Sequence, residues 1–300
     1  MKVALFYDHV TVLDYAYLDD HQGLVGNSLM VDVEFIGETD DEGVVFDFSY
    51  AKKKVKEIID RECDHRLVIP KNLAKYEAGL VQFEYKYGYQ DLSLKYIAPA
   101  EAVCEIPSAY VSEANLQAHL EELVMKEMPN NVSAIKLKLR EEKLSTGDQF
   151  FNYTHGLKEH YGNCQRLMHG HRSTLEVYTN NERRHDIEKE LIQNQFSGNI
   201  HFCFWENVEN KNEIQKLTGE KNPIGRFKNL PPVYIKYSGN QGLFQGWLPG
   251  NSIYFMATET TVENLSIHFC QLVKSVQNDP LCTVKVRAFE GVGKGSQTTI

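Results

Sequence analysis

Two segments of the chain, residues 112–142 and 261–291, share one pattern of apolar and polar positions. In both, apolar residues first recur every three or four positions, which predicts an amphipathic helix preceded by a capping hydroxyl residue, Ser112 or Thr261. Apolar and charged residues then alternate, as they do along a half-exposed strand. The helix positions are Leu116, Leu120, Leu123 and Val124 in the first copy and Leu265, Phe269, Leu272 and Val273 in the second. The chain therefore predicts a repeated unit.

The segments ahead of these units also align, although less closely. Residues 13–18 match 152–157, and residues 25–35 match 169–179. In the first copy GVVFDF, residues 43–48, predicts a buried strand. A helix should follow, with one apolar face formed by Ala51, Val55, Ile58 and Ile59. Each copy is thus expected to run strand, loop, strand, helical segment, helix, strand.

The polar, turn-forming run EEKLSTGDQ separates the two copies. It predicts a boundary between two modules, residues 1–144 and 145–300. Two aromatic stretches, residues 81–97 and 233–247, lie between the helical parts. We interpret each stretch as a pair of strands joined by a glycine turn.

Composition and charge exclude several classes of function. Acidic residues outnumber lysine and arginine by 41 to 32, and the resulting net charge of −9 disfavours binding to nucleic acid. No stretch approaches the apolar length of a membrane span, and the first residues lack a signal-peptide pattern, so we expect a cytoplasmic protein. The six cysteines are scattered without CxxC pairs, which favours free thiols over a disulfide framework.

Candidate chemistry is concentrated in CQRLMHGH, residues 164–171. On a strand, His169 and His171 project from the same face and can reach one cation, and His155 can add a third nitrogen if its segment pairs with that strand. Three histidines with an open fourth position are typical of catalytic zinc, whereas exposed polar strand ends are the alternative interpretation. The first module favours the metal, because all three ligands are replaced there together, by Ala16, Val25 and Asn27.

A thiol and an Asp-His pair are further candidates. Cys164 lies in the loop between the predicted ligand strands, where zinc and Arg166 should lower its pKa and make it a usable base or nucleophile. The alternatives are a small buried filler or a fourth zinc ligand. In the first module, Asp64 next to His65 could polarise an imidazole for proton transfer, although such pairs are also common helix caps and surface ion pairs.

Taken together, these motifs resemble the 6-pyruvoyl- and 6-carboxytetrahydropterin synthases. The shared features are an early strand histidine, Cys-x(4)-His-Gly-His, an Asp-His pair, a Thr-x-Glu-Asn-Leu helix start and a glutamate ending the last strand. The resemblance covers most of both modules except the aromatic stretches and the boundary. It implies an α+β fold of two tandem tunnelling-fold (ββαα) modules, with antiparallel sheets, helices on one face and a β-barrel formed by homo-oligomerisation.

The resemblance also implies roles for individual residues. The Zn²⁺ ligands would be His155, His169 and His171. The catalytic thiol would be Cys164, working with Asp64 and His65. A small-molecule pterin would be anchored by Thr261 and Glu290, whose counterparts in the first module are Ser112 and Glu141. A glutamate suits this task because a carboxylate accepts the two N–H donors of an amidine as a fork.

The chain departs from the ordinary one-module pattern in an ordered way. The first module keeps the Asp-His pair but lacks metal ligands, whereas the second keeps the metal ligands but lacks the pair. In the family that it resembles, the pair is thought to reach the site from a neighbouring subunit. One composite site could therefore combine the two modules. The alternative is a duplicated protein that retains zinc and a pterin pocket without turnover.

Three functions are compatible with these residues. The first is a zinc lyase that converts 7,8-dihydroneopterin triphosphate to a 6-carboxy- or 6-pyruvoyl-tetrahydropterin. The 6-carboxy product, formed with loss of acetaldehyde on the way to queuosine, fits a bacterial-looking cytosolic chain better. The second is a pterin- or purine-binding protein without turnover, and the third is a zinc hydrolase. Cys164 favours the lyase over the hydrolase, because a hydrolase has no need of a thiol.

Overall fold

A computed structural model describes residues 2–88 and 92–300. The elements of the first half are β1 (Lys2–Asp19), β2 (Gly23–Glu38), α1 (Phe48–Glu62), β3 (Leu67–Pro70), β4 (Lys75–Glu77), β5 (Leu80–Tyr87), β6 (Leu92–Pro99), β7 (Val103–Ile106), α2 (Glu113–Met125) and β8 (Val132–Arg140). Those of the second half are β9 (Phe150–His155), β10 (His169–Thr179), β11 (Glu182–Arg183), α3 (His185–Gln195), β12 (Ile200–Phe204), α4 (Lys211–Thr218), β13 (Gly225–Arg226), β14 (Val233–Gly239), β15 (Gly242–Leu248), β16 (Ile253–Met256), α5 (Val262–Ser275), β17 (Val284–Phe289) and β18 (Gly295–Thr299). Within the described residues, no helix is both long and apolar enough to cross a bilayer.

The two halves form sheets with the same strand order. The first sheet runs β7-β3-β1-β2-β8, and the second contains β16-β12-β9-β10-β17 in the corresponding places. This order confirms two tandem modules. The long strands pair antiparallel as predicted, but β3 and β7 pair parallel, as do β12 and β16, so each sheet is mixed. The sequence analysis did not predict these four short buried strands.

The helices cover one face of each sheet. Helix α1 buries the predicted apolar positions, and α2 packs beside it over the first sheet. Helices α3 and α5 occupy the corresponding face of the second module. Ser112 and Thr261 are the N-caps of α2 and α5, where each side chain accepts the backbone N–H three residues on. The predicted helices and caps are therefore confirmed.

The strand predicted at residues 43–48 is wrong. Residues 43–47 form a loop that leads into α1, and Phe48 is the first residue of that helix. Val45 is buried, and the ring of Phe46 packs edge-on against Phe35 of β2 at a centroid distance of 5.5 Å. Asp47 ends the loop as the N-cap of α1, and its side chain accepts the Tyr50 N–H. The apolar run thus reflects side chains that cover the sheet, since a short apolar run does not by itself distinguish a strand from a buried loop.

The two aromatic stretches form the predicted strand pairs, β5 with β6 and β14 with β15. The turn at residues 89–91 lies outside the described residues. Strand β15 also pairs with β6, which joins both insertions in one sheet of order β14-β15-β6-β5-β4. A buried apolar cluster beneath this sheet takes side chains from both modules. The insertions therefore connect the modules, a role that the sequence analysis did not predict.

Gly26 on β2 and Gly170 on β10 mark the place where the modules cross. A Cβ atom on Gly26 would lie 1.9 Å from the carbonyl oxygen of Tyr153, and one on Gly170 would lie 2.7 Å from the Gly26 Cα. Asn152 Nδ2 donates a hydrogen bond to Gly26 O across the same crossing, at 2.7 Å. The close approach of the two backbones explains the glycine between His169 and His171. It also brings β1 beside those histidines.

Candidate active site

Three histidines lie together on β9 and β10. The antiparallel register places His169 directly opposite His155, and His171 follows two residues later on the same face. One ring nitrogen from each lies within 4.8 Å of the others. All three side chains are fully buried. The structure thus brings the three predicted ligands together, which leaves the question of whether the nitrogens suit a metal.

Hydrogen bonds fix the tautomers of two of these histidines. His155 Nδ1 lies 2.9 Å from the carbonyl oxygen of Thr260, and His169 Nδ1 lies 2.7 Å from that of Arg166. Because a carbonyl only accepts, each Nδ1 carries the proton and each Nε2 carries a lone pair. Burial, together with the neighbouring histidines, lowers the pKa of both rings well below the usual range, so they are neutral.

The Nε2 atoms of all three histidines are buried without a hydrogen-bond partner among the described residues. Buried polar atoms normally have partners, so three converging ring nitrogens without one require another explanation. A cation held by neutral imidazoles supplies one. Three neutral imidazole nitrogens match the protein ligands of a three-histidine catalytic zinc site.

The third histidine contacts the first module. His171 Nδ1 lies 3.2 Å from Oδ1 of Asp14, a buried residue of β1. Ser28 Oγ donates to the same oxygen at 2.5 Å, and Lys294 Nζ lies 2.9 Å from Oδ2. Burial alone would raise the pKa of Asp14, but His171, Lys294 and Ser28 lower it below the usual range. The carboxylate is therefore charged where it faces the imidazole.

The Asp-His pair of the first module reaches the thiol of the second within one chain. Cys164 lies in a short turn, Asn163–Gln165, between the two ligand strands. Ligand atoms of Cys164, His65 and His169 lie within 4.8 Å of one another. His169 therefore belongs both to this group and to the histidine cluster, and the predicted metal, thiol and acid–base residues share one site.

Asp64 orients the ring of His65 through a contact with its Nδ1 atom. Asp64 Oδ2 lies 2.5 Å from His65 Nδ1, and the backbone of His65 has a left-handed φ of 53°. Left-handed backbone is unusual outside glycine and often marks functional sites. Burial would lower the pKa of His65, but its hydrogen bonds to Asp64 and Cys164 raise that pKa to about 10. His65 is thus held as an imidazolium beside the thiol.

The predicted pterin anchors are placed differently from one another. Glu290 Oε1 lies 3.9 Å from Nε2 of both His155 and His171, at the edge of the cluster. Thr261 lies next to Thr260, although its hydroxyl oxygen caps α5. Glu141 is half exposed and forms an ion pair with Arg172, which leaves β10 on the face opposite His171. The structure therefore brings Glu290, but not Glu141, to the histidines.

Sequence reasoning missed Asp14, Thr260 and Lys294. Asp14 had a detectable signal, since it is a lone acidic residue inside the apolar strand VLDYAYL. A buried charge in such a strand requires a partner. No pattern along the chain showed that the partner would be a histidine of the other module.

A known protein family matches each of the two modules in turn. The model of the 6-pyruvoyl tetrahydropterin synthase family matches residues 8–138 and again residues 145–298. A protein of Pyrococcus horikoshii is 26% identical over 48% of this chain and 85% of its own length. One of Methanocaldococcus jannaschii is 32% identical over 39% of this chain and 72% of its own. Both carry the provisional name 6-carboxy-5,6,7,8-tetrahydropterin synthase.

Solved structures of 6-pyruvoyltetrahydropterin synthases are also similar to parts of the chain. The enzyme of Plasmodium vivax is 17% identical, with a TM-score of 0.38 over 49% of this chain and 94% of that one. The enzyme of Plasmodium falciparum is 18% identical, with a TM-score of 0.37 over 46% and 90%. The family assignment rests on the double match to the family model, which covers both modules. The chain belongs to the 6-pyruvoyl tetrahydropterin synthase family.

Proposed function

We propose that the chain is a zinc-dependent lyase that converts 7,8-dihydroneopterin triphosphate and one water molecule to 6-carboxytetrahydropterin, with release of acetaldehyde and triphosphate. One observation carries this proposal: a thiol, an Asp-His pair and a three-histidine cluster meet at His169 within one chain. The names of the archaeal relatives support the 6-carboxy product over the 6-pyruvoyl one.

The metal would be held by Nε2 of His155, His169 and His171. Zinc held by these residues would supply Lewis acidity to a substrate hydroxyl. The hydrogen bonds from Nδ1 of His155 and His169 to carbonyl groups keep their rings oriented for this task. Burial of the three rings excludes bulk water from the ligand atoms.

Cys164 is the base in this proposal. As a thiolate, its Sγ takes a proton from a substrate carbon, and the His65 imidazolium donates its own proton to the product. The thiol then returns its proton to the neutral imidazole, which restores the starting pair. Asp64 stabilises the imidazolium form of His65 through the contact between Oδ2 and Nδ1. The raised pKa of His65 supports this assignment, because it keeps an imidazolium proton donor within reach of Cys164 Sγ.

Glu290 is the proposed pterin anchor. Its carboxylate can accept two N–H donors from the amidine edge of the ring, and its position at the rim would place the substrate side chain near the histidines. Glu141 is engaged with Arg172 instead. The second module would therefore supply the metal ligands and both proposed anchors, Glu290 and Thr261.

The direct test is to incubate zinc-loaded protein with dihydroneopterin triphosphate and to follow the products by mass spectrometry. We expect 6-carboxytetrahydropterin, together with acetaldehyde and triphosphate, and no such product with Cys164→Ala. A 6-pyruvoyl product would correct the product alone. Binding of the substrate without any turnover would replace the lyase by a pterin-binding protein.

We also infer a homo-oligomer. Strand β8 forms an edge of the first sheet and pairs only with β2 among the described residues, whereas its counterpart β17 is covered by β18. An uncovered edge is a template for pairing with another chain. Light scattering at micromolar concentration should give a mass above the 34.4 kDa of one chain. A strictly monomeric protein would contradict this inference.

A further inference from the structure

Asp14 is a buried carboxylate to which the proposed mechanism gives no role. It belongs to β1 of the first module, which has no metal ligands of its own, and it is 2% exposed. A charge buried to this extent is costly unless it is well paired. Its partners are Ser28 of its own module and two residues of the other, His171 and Lys294. Its surroundings are therefore built largely by the second module.

His171 differs from the other two histidines in what its Nδ1 meets. His155 and His169 each place Nδ1 against a backbone carbonyl oxygen. His171 Nδ1 instead faces Asp14 Oδ1 at 3.2 Å, close but not aligned as a regular hydrogen bond. A charged carboxylate only accepts, so it favours the tautomer with the proton on Nδ1 and the lone pair on Nε2.

We propose that Asp14 is a positioning residue for the metal site. It selects the ligand tautomer of His171 and directs Nε2 towards the cation, so that the metal affinity of the second module depends on the first. A carboxylate that accepts the second N–H of a ligating histidine also increases the basicity of the ring. This inference rests on the metal site of the proposed function.

The backbone of Asp14 extends the same role to the proton-transfer pair. Its N–H donates to Asp64 Oδ1 at 2.9 Å, and its carbonyl oxygen accepts the His65 N–H at 2.7 Å. One residue therefore contacts a metal ligand through its side chain and the Asp-His pair through its main chain. Because substitution leaves the main chain in place, a side-chain variant separates the first contact from the second.

The test compares Asp14→Ala and Asp14→Asn with wild type. Zinc affinity, measured by chelator competition, should fall about 10–100-fold in Asp14→Ala, the range typical of such outer contacts. Asp14→Asn should lose less, because its amide oxygen can still accept from Nδ1. Lys294→Met is the matched control: Lys294 meets only the other carboxylate oxygen, so its loss should weaken zinc binding less than Asp14→Ala does.

A second measurement separates positioning from a structural role. Nitrogen NMR of the metal-free protein should show His171 protonated on Nδ1 in wild type and shifted towards the Nε2 tautomer in Asp14→Ala. Unchanged affinity or an unchanged tautomer in Asp14→Ala would overturn the proposal. So would a loss of affinity that Asp14→Asn fails to reduce. If wild type itself binds no zinc, the proposed function fails, and the His171 tautomer still decides whether Asp14 positions the ring.

Discussion

The two modules have the same strand order and helix caps, yet their equivalent strand faces differ completely in chemistry. At the position of His155 the first module has Ala16, which is buried in an apolar cluster. Where His171 stands it has Asn27, whose side chain donates to the hydroxyl of Tyr15. The first-module site is thus filled by packed side chains. A shared fold does not require a shared site, because a few positions on two strands decide the chemistry.

The first module nevertheless contributes to the site of the second. Asp64 and His65 follow α1 and meet Cys164, and Asp14 meets His171. The counterpart turn in the second module carries no Asp-His pair. The difference between the modules is therefore complementary, and each lacks what the other supplies. The predictions that follow test this comparison.

Removing the first-module pair should have the largest effect. His65→Ala should lower kcat about 10²–10⁴-fold, the usual contribution of a general acid–base group, with zinc content unchanged. Cys164→Ala should be comparable, and the double variant little worse, because the two residues act as one unit. His9→Ala is the matched control, since His9 is an exposed first-module histidine with a similar left-handed φ of 55°.

Mixing the two single variants sharpens the same comparison. Because His65 and Cys164 meet within one chain, hybrid oligomers of His65→Ala and Cys164→Ala chains should regain no activity. Steady-state turnover of mixtures, compared with each variant alone, is the measurement. Recovered activity would mean that the pair reaches a thiol of a different chain.

The metal content should be asymmetric between the modules. We expect one zinc per chain by elemental analysis, because ligand histidines occur in the second module alone. His171→Ala should weaken zinc binding by more than the roughly 10–100-fold typical of outer contacts. The equivalent first-module variant, Asn27→Ala, should leave zinc content unchanged. Two tightly bound zinc ions per chain would contradict the comparison.

Substitution of either crossing glycine, Gly26 or Gly170, should lower the free energy of unfolding by a similar amount. Gly26→Ala and Gly170→Ala each place a Cβ against backbone atoms and should lower the free energy of unfolding by about 1–3 kcal/mol, as overpacking does. Urea denaturation of the metal-free protein measures this. Gly162→Ala is the control, because its Cβ would meet only the flexible ring of His160. Equal stabilities would show that the modules can move apart.

The smallest predicted effect concerns Glu259, whose position corresponds to the exposed Tyr110 in the first module. Burial raises the pKa of Glu259 to about 7. The folded chain therefore binds more protons than the unfolded chain above pH 4.5, and stability should fall as pH rises from there to 7. Glu259→Gln should remove this decline and add about 1 kcal/mol at pH 8, allowing for partial exposure. Tyr110→Phe, the control, should change neither; a Glu259→Gln variant that kept the decline would refute the assignment.

Local patterns were enough to predict much of the fold. Helical spacing identified α1, α2 and α5, and strand alternation placed His169 and His171 on one face. The short buried strands, such as β3 and β12, were not predicted, because a run of four or five apolar residues has no diagnostic period. For the same reason, the run GVVFDF was wrongly predicted to form a strand. Periodicity reports which residues are buried, but not always the element that buries them.

Only the parts of the site that form local sequence motifs could be predicted from the sequence. The two histidines of HGH and their loop cysteine are close in sequence, whereas Asp14 meets His171 through the packing of one module on another. Glu141 and Glu290 were equivalent by alignment, but Glu141 contacts Arg172 whereas Glu290 lies beside the histidines. The two glutamates occupy equivalent positions in the sequence repeat, but tertiary contacts between the modules give them different surroundings.

The sheet shared by the two insertions has a consequence for inheritance. Because β6 of one half pairs with β15 of the other, loss of either half would leave an unpaired strand and expose part of the shared apolar core. After the duplication, deletions that return the gene to a single copy would be selected against even where that copy kept every metal ligand. The two halves are thus expected to be retained together in evolution. Substitutions along the β6–β15 pairing are expected to arise in matched pairs.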